Sequence, residues 1–170
     1  MSDVEQMRSL IVDSVMHLQS GVYTVAQREG ALGTVFGVDR LLIEDQTYFV
    51  VELDGRLAAC GGWSKRSTLF GSDSGSPVKN ADFLDPKVDA ARIRAFFVHP
   101  DFARRGLGTV ILEASSEEAR AAGFRRLQLG ATLTGIPFYQ RHGFRTLGRV
   151  EVPLPNGETV AIVTMEKTLT

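Results

Sequence analysis

The chain has 170 residues, of which 44% are hydrophobic and 23% are charged. This composition is sufficient to bury a hydrophobic core, and the length predicts a single domain across residues 1–170. Disordered, collagen-like and coiled-coil proteins are excluded as classes. A single cysteine excludes an internal disulfide, and an acidic N-terminus without any apolar run of about 20 residues favours a cytoplasmic protein with no membrane partner. The net charge is −1, but residues 92–149 hold ten arginines against four acidic residues, which predicts a local anionic ligand and no nucleic-acid partner.

The first part of the chain is predicted to hold two helices and a β-hairpin. Apolar residues recur at helical spacing over residues 3–18, and a second helical stretch, residues 25–43, is interrupted near its glycines. Two β-rich stretches, residues 47–53 and 56–64, flank the turn pair Asp54-Gly55. A long loop is then expected, because residues 65–88 are rich in Gly, Pro and Ser and show no period.

The second part alternates strands with helices. Its predicted elements are a buried strand over 91–99, a helix from Gly106-Leu107-Gly108 to a stop at Gly123, a strand over 126–131, a short helix between Pro137 and Gly143, and two strands over 144–152 and 160–169 joined through a turn at 155–157. The order of elements indicates one mixed α/β domain.

The most informative segment is residues 96–109, in which a strand ends at Val98-His99-Pro100 and a turn rich in Arg and Gly runs straight into a helix. The first N–H groups of a helix lack internal partners, and together with the helix dipole they favour an anion such as a pyrophosphate. Two other phosphate loops fit less well. The sequence has no Walker A string, and a dinucleotide-binding fingerprint would need glycine where Ile111 stands.

These residues resemble the GNAT superfamily of acyl-CoA-dependent N-acetyltransferases. The first family motif is Gln/Arg-x-x-Gly-x-Gly/Ala, and the corresponding residues here are 103–108, A-R-R-G-L-G. The second is a Phe/Leu-Tyr pair on a helix that ends in Gly-Phe, and residues 137–144 read P-F-Y-Q-R-H-G-F. The resemblance implies a mixed, twisted, largely antiparallel sheet flanked by helices and splayed at the strand that ends in Val98-His99-Pro100.

The resemblance also implies a site and a reaction. Acetyl-CoA would be the co-substrate, without a metal, and the acceptor would be a primary amine of a small molecule or peptide that attacks the thioester directly. Tyr139 would protonate the leaving thiolate. The implied cofactor-binding residues are Phe96, Phe97, Val98, Arg104, Arg105, Gly106, Leu107, Gly108 and Thr109. A homodimer is compatible with this class. The alternative is a non-catalytic acyl-CoA-binding or sensing module of the same fold.

Some positions depart from the family pattern. Ala103 stands where the family usually has Gln or Arg, so one contact to phosphate is lost. Before Tyr139, either Thr132 or Thr134 could replace an Asn that often contacts the cofactor. No short edge strand is expected before the first helix, where the family usually has one, so either the chain is a truncated version or the sheet starts one strand later.

Several other residues carry open interpretations. Cys60 is expected to be a small core residue rather than a nucleophile. Arg92 and Arg94 should project from one face of their strand, where they could bind a substrate carboxylate or form a solvated or salt-bridged surface. Gly61-Gly62 could let substrate approach the sheet, with Trp63 as a wall. The candidates for a general base are Glu44, Asp45, Glu52 and a water chain.

Overall fold

Helices and strands follow one another in the order that the sequence predicts, except that three helices instead of two precede the first strand. The computed structural model describes residues 2–71 and 82–170. The helices are α1 (Asp3–Leu18), α2 (Val25–Ala31), α3 (Arg40–Glu44), α4 (Leu107–Ala121) and α5 (Ile136–Arg141), and a 3-10 turn spans Pro100–Phe102. The strands are β1 (Tyr48–Leu53), β2 (Arg56–Ser64), β3 (Ala91–Val98), β4 (Arg126–Thr132), β5 (Arg145–Pro153) and β6 (Thr159–Thr168). Within the described residues, every helix is too short or too polar to cross a membrane.

The predicted helical stretch over residues 25–43 is two separate helices, α2 and α3. A capping box between Thr24 and Gln27 starts α2, and the positive φ of Gly33 lies in the turn that follows it. The Asp39 carboxylate then caps α3, accepting bonds from the amides of Leu41 and Leu42. Local glycine and capping chemistry therefore divides a segment whose apolar spacing alone suggested one interrupted helix.

The long loop predicted over residues 65–88 lies only partly within the described residues. Arg66 forms an isolated antiparallel bridge with Phe83, so the two described ends of the loop run side by side. The central part of the prediction, residues 72–81, lies outside the described residues.

The strands form one sheet with the order β1-β2-β3-β4-β6-β5. All neighbouring pairs are antiparallel except β3 and β4, which are parallel. Asp54 and Gly55 join β1 to β2 with φ values of 52° and 73°, as a two-residue hairpin turn requires. The mixed, largely antiparallel sheet expected from the resemblance is thus confirmed.

The sheet opens between β3 and β4. These strands pair only at Ala91 with Leu127 and at Arg92 with Gln128, after which they diverge and leave a gap. Next to the gap, β3 contains a bulge, because Gly61 of β2 faces both Ala95 and Phe96, and Ala95 has a φ of 54°. The splayed sheet that the resemblance implied is therefore present, and a bulge lies on the strand beside the gap.

Helices cover the two faces of the sheet. On one side, here called the α1 face, helix α1 packs on a core cluster that includes Cys60, Phe97 and Ile162 of the sheet. On the other side, the α4 face, helix α4 packs on clusters that include Trp63 and Ile93. Since side chains alternate along a strand, each residue beside the gap belongs to one of these two faces.

Candidate functional site

The N-terminus of α4 leaves its first backbone donors open. Gly106 precedes the helix with a φ of 81°, Arg104 has a φ of 62°, and the first intrahelical amide bond of this turn runs from Val110 to the Gly106 carbonyl. Among the described residues no side chain caps this helix, whereas α1, α2 and α3 are each capped by a side chain. The amides from Leu107 to Thr109 therefore have no side-chain cap and could bind an anion.

Two arginines stand beside these amides. Arg104 and Arg105 are both exposed, and the Arg105 guanidinium carbon lies 5.4 Å from the centre of the Phe102 ring. This contact holds one cation near the start of α4 while its charge remains in water. Ala103 contributes no polar side chain here, and its amide donates to the Pro100 carbonyl within the 3-10 turn.

The edge of β3 that faces the gap is free of strand pairing beyond Arg92 in the described part of the chain. On its other edge, Phe97 pairs with Cys60 and Val98 pairs with Ala59. An extended chain could add to the free edge as a further strand, starting from the α4 N-terminus. An uncapped helix end next to an unpaired strand edge fits a long acyl carrier with phosphates at one end. Acetyl-CoA, the co-substrate that the resemblance implies, is such a molecule.

Tyr139 lies on the α4 face beside this edge. Its ring centre is 6.4 Å from that of Phe96 on β3, 5.0 Å from that of Phe138 and 5.6 Å from that of Phe144. The side chain is 9% exposed, and burial raises the pKa of its phenol well above the usual value. Tyr139 therefore keeps its proton at neutral pH, next to the strand edge that an acyl carrier would occupy.

The two sequence motifs are in direct contact. A Cβ built on Gly108 would lie 3.2 Å from Cζ of Phe138, so glycine lets α4 and α5 approach closely. One residue further, Thr109 Oγ1 is 3.0 Å from Nε2 of His142. Burial, followed by the nearby Lys167, lowers the pKa of His142, which favours the neutral ring at neutral pH. His142 is therefore a structural link between the motifs, a role that the sequence pattern alone did not reveal.

Tyr23 is a second residue that the sequence analysis did not single out. Its buried hydroxyl donates to the Ala161 carbonyl at 2.6 Å and accepts from the Leu133 amide at 3.0 Å. It thereby ties the connection between β4 and α5, which precedes Tyr139, to strand β6. An isolated tyrosine between two helices gives no sequence signal for such a contact.

The threonines before Tyr139 differ in their surroundings. Thr132 Oγ1 accepts a bond from the Gly135 amide at 3.2 Å and so stabilises the turn that leads into α5. Thr134 is exposed. Thr132 is thus occupied locally, while Thr134 is the one of the two with a side chain open to solvent.

Cys60 is a core residue, as expected. It is 1% exposed, its sulfur accepts from the Tyr48 hydroxyl at 3.5 Å, and burial raises the pKa of its thiol to about 12. A thiol with such a pKa is not ionised at neutral pH and lacks nucleophilic character. The described structure therefore contradicts a covalent acyl-cysteine route.

An ion pair removes Asp45 from the candidates for a general base. The Asp45 carboxylate binds the Arg66 guanidinium through two bonds of 2.7 and 2.8 Å, and the hydrogen bonds from Arg66 lower the pKa of Asp45. A carboxylate held this way is a poor proton acceptor. Glu44 and Glu52 are exposed, so they and a water chain remain as candidates.

Arg92 and Arg94 both project to the α1 face but have different partners. Arg94 forms a buried ion pair with Asp39 at 2.8 Å and donates to the carbonyls of Thr68 and Gly71. Arg92 donates to neutral acceptors, Gln128 Oε1 and the Ser67 carbonyl. Of the two interpretations left open by the sequence, the salt-bridged one holds for Arg94.

The glycines before Trp63 serve packing rather than substrate access. A Cβ on Gly62 would lie 2.1 Å from the Thr47 carbonyl oxygen, and one on Gly61 would lie 2.5 Å from the Phe96 ring. Trp63 is buried on the α4 face, and its indole N–H donates to Glu118 at 3.0 Å. The expectation that this segment forms a wall for substrate is therefore wrong. No cluster of three or more metal-ligating side chains occurs within the residues described.

Comparison with known proteins agrees with this geometry. Residues 12–144 match the model of the acetyltransferase (GNAT) family. An amino-acid acetyltransferase from Mannheimia succiniciproducens is 24% identical over 115 residues, which is 68% of this chain and 22% of that protein. The chain therefore matches less than a quarter of the length of that relative.

Two solved structures share the fold. A GCN5-related N-acetyltransferase from Rhodopseudomonas palustris superposes with a TM-score of 0.71 at 22% identity, covering 98% of this chain and 90% of that one. The PaiA N-acetyltransferase from Thermoplasma acidophilum, in complex with coenzyme A, has a TM-score of 0.62 at 13% identity, covering 98% and 93%. The family match covers most of this chain and includes both motifs that meet at Gly108 and Phe138. The chain therefore belongs to the GNAT acetyltransferase family.

Proposed function

We propose that this protein is an N-acetyltransferase that transfers an acetyl group from acetyl-CoA to a primary amine of a small molecule or peptide. The observation that carries the proposal is the contact between the two motifs, Gly108 against Phe138 and Thr109 against His142. This contact brings an open anion-binding helix end and a buried, protonated Tyr139 to the same strand edge. An amino-acid acetyltransferase among the relatives and a coenzyme A complex among the structural neighbours support the same class of reaction.

The chain offers two binding surfaces for the cofactor. The amides from Arg104 to Thr109 would hold the pyrophosphate, with the guanidinium groups of Arg104 and Arg105 beside it. The free edge of β3 at Phe96, Phe97 and Val98 would bind the pantetheine arm through the backbone. When bound, acetyl-CoA supplies the acyl group as a thioester, whose thiol is a fair leaving group with a pKa of about 8.5.

Tyr139 is the proposed general acid. Its raised pKa keeps the phenol protonated at neutral pH, so the hydroxyl can donate a hydrogen bond to the sulfur and supply a proton as the thiolate of the cofactor leaves. The acceptor amine attacks in its neutral form, so no acyl-enzyme is needed, in agreement with the inert Cys60. The proton of the attacking amine leaves to a base that is one of Glu44, Glu52 or a water chain.

A thermal-shift measurement tests the cofactor first. Acetyl-CoA at 100 times its Kd should stabilise the protein by about 2.7 kcal/mol, whereas NAD and ATP should not. Release of free thiol from acetyl-CoA, measured with a panel of primary amines, then tests turnover. Stabilisation by acetyl-CoA without amine-dependent thiol release would favour the alternative function, a non-catalytic acyl-CoA sensor. No stabilisation at all would contradict both.

A further inference from the structure

A short segment crosses the gap between β3 and β4 on the α1 face. The last pair of these strands is Arg92 with Gln128, and two residues further along each strand stand Arg94 and Gly130. Arg94 donates to the carbonyls of Thr68 and Gly71. Residues 68–71, here called the strap, therefore run over the opening about 7 Å beyond the last strand pair.

Phe70 reaches from the strap to the far side of the gap. A Cβ built on Gly130 of β4 would lie 3.0 Å from Cδ1 and 3.3 Å from Cβ of Phe70, so the phenyl group rests directly on the glycine. The strap is thus held on β3 by hydrogen bonds and on β4 by a packing contact. Phe70 lies across the gap on the face opposite to that of Tyr139.

Arg94 joins the strap to a third part of the chain. Its guanidinium pairs with Asp39, which caps α3, while the same group binds two strap carbonyls. Both side chains of the ion pair are less than a tenth exposed. A buried guanidinium engaged in this way is neutralised by Asp39 and fixed by several bonds at once, so it orients the strap and is not available to a substrate carboxylate.

Phe70 is one of the partly buried apolar side chains that pack against the core of the α1 face, and Ala95, Leu133 and Val35 belong to the same group. On the α4 face beside the gap, the centre of the Tyr139 ring lies 6.4 Å from that of Phe96 and 5.0 Å from that of Phe138. The α1 face therefore offers an acceptor amine an approach to the gap along which Phe70 presents an apolar side chain.

We propose that the strap borders the acceptor site, that Phe70 is a specificity-determining contact for amines with an apolar substituent, and that Arg94 is the positioning residue that holds Phe70 in place. This inference rests on the proposed N-acetyltransferase function and narrows its acceptor class. It replaces a carboxylate-binding role for Arg94 with a structural one. The glycine at position 130 permits this contact, because a Cβ there would crowd both Ile162 of β6, at 2.9 Å, and Phe70, at 3.0 Å.

The test is steady-state thiol release from acetyl-CoA with four probe amines, 2-phenylethylamine, n-butylamine, glycine and L-glutamate. The wild-type protein should prefer the first two. Phe70→Ala and Arg94→Lys should each raise the KM for 2-phenylethylamine about tenfold, the usual cost of a lost apolar contact. The KM for acetyl-CoA should stay within about twofold, because the variants leave the α4 site intact.

Two control variants match these changes elsewhere. Phe83→Ala removes an exposed phenyl group that stacks on Arg66, outside the strap. Arg126→Lys alters an arginine that, like Arg94, pairs with a carboxylate and donates to a backbone carbonyl, here Glu166 and Val88. Neither control should change the KM for 2-phenylethylamine.

The outcomes separate the inference from the proposed function. If wild-type protein releases thiol with an apolar amine but folded Phe70→Ala has an unchanged amine KM, the inference is wrong and the function stands. A wild-type preference for L-glutamate or glycine would overturn it as well. No amine-dependent release by the wild type would overturn both. Should Arg94→Lys fail to fold, Phe70→Ala decides, since it leaves the ion pair untouched.

Discussion

Tyr139 and Cys60 show how burial gives two ionisable side chains different uses. Burial raises the pKa of both groups, so both hold their protons at neutral pH. For a nucleophile this is disabling, because a thiol must ionise to attack. A general acid must carry its proton before the reaction begins, and the raised pKa ensures this for Tyr139. The same physical effect thus makes Cys60 inert and keeps Tyr139 protonated, as the role proposed for Tyr139 requires.

The general-acid role proposed for Tyr139 predicts a specific kinetic defect. Tyr139→Phe should lower kcat by about tenfold or more, because it removes the proton donor but keeps the ring packing. The KM for acetyl-CoA should change little. Steady-state thiol release with a primary-amine acceptor measures both values.

Tyr48→Phe is the matched control for this substitution. Tyr48 is also a partly buried phenol, but its hydroxyl donates to the sulfur of Cys60 and lies on the α1 face. Its removal should leave kcat unchanged. A folded Tyr139→Phe variant that turns over at the wild-type rate would rule out the general-acid assignment.

At the scale of elements, the site depends on how closely α4 and α5 approach. In the first turn of α4, Gly108 packs against Phe138 and the Thr109 hydroxyl forms a hydrogen bond with His142. The first motif ends in α4 and the second lies on α5, so the separation of these helices sets the distance between the amides proposed to bind phosphate and Tyr139. This explains why the second glycine of the turn is needed even though its φ is not positive.

Gly108→Ala should therefore weaken cofactor use. The added methyl group would lie 3.2 Å from the Phe138 ring, so this ring, which packs on Tyr139, must give way by a few tenths of an ångström. We expect kcat/KM for acetyl-CoA to fall about three- to tenfold, since small displacements of reacting groups are costly. Gly21→Ala is the control, because a Cβ there meets no atom within 4 Å. Equal values for Gly108→Ala and the wild type would show that the contact does not position the site.

At the scale of the whole molecule, a buried carboxylate fastens the strands on the far side of the gap. Glu166 of β6 binds Arg126 and Gln128 of β4 and Arg145 of β5, at 2.8 to 3.0 Å. Hydrogen bonds from Gln128, then from the arginines, lower the pKa of Glu166. The folded state therefore favours the ionised carboxylate more than the unfolded chain does.

This linkage predicts a pH-dependent stability. A depressed pKa contributes stability that is present above the ordinary pKa of Glu and is lost as the pH falls through the lower folded value. Glu166→Gln should cost about 1–2 kcal/mol at pH 7, because Arg126 and Arg145 are well exposed and solvent screens them. That corresponds to a Tm lower by roughly 2–8 °C.

Thermal melts of Glu166→Gln and the wild type between about pH 7 and pH 2 check this expectation. The difference in Tm should shrink as the pH drops below the ordinary pKa of Glu, because the carboxylate protonates first in the unfolded chain and then, at the lower folded pKa, in the native protein. Glu151→Gln is the control, since its partner Arg149 and its own side chain are both exposed. A constant difference across the whole range would contradict the linkage.

The sequence by itself determined the parts of this protein that local rules govern. Apolar spacing predicted α1 over residues 3–18, and Asp54-Gly55 predicted the β1–β2 hairpin, because both depend only on neighbouring residues. The strand, turn and helix over residues 96–109 were readable for the same reason. The gap between β3 and β4 was expected only through the family resemblance, since no local pattern encodes where two strands part.

Only the tertiary structure decided which polar residues serve the site and which serve the fold. Asp39, far from Arg94 in sequence, forms an ion pair with the Arg94 guanidinium, whose partner the strand pattern did not identify. The close approach of the Thr47 backbone, and not access for a substrate, accounts for the glycine at position 62. The packing of Phe70 on Gly130 likewise joins residues on separate elements. Such contacts join residues that are distant along the chain. Close packing and the pairing of buried charges in the folded protein determine these partners, and the spacing of residues in the sequence does not reveal them.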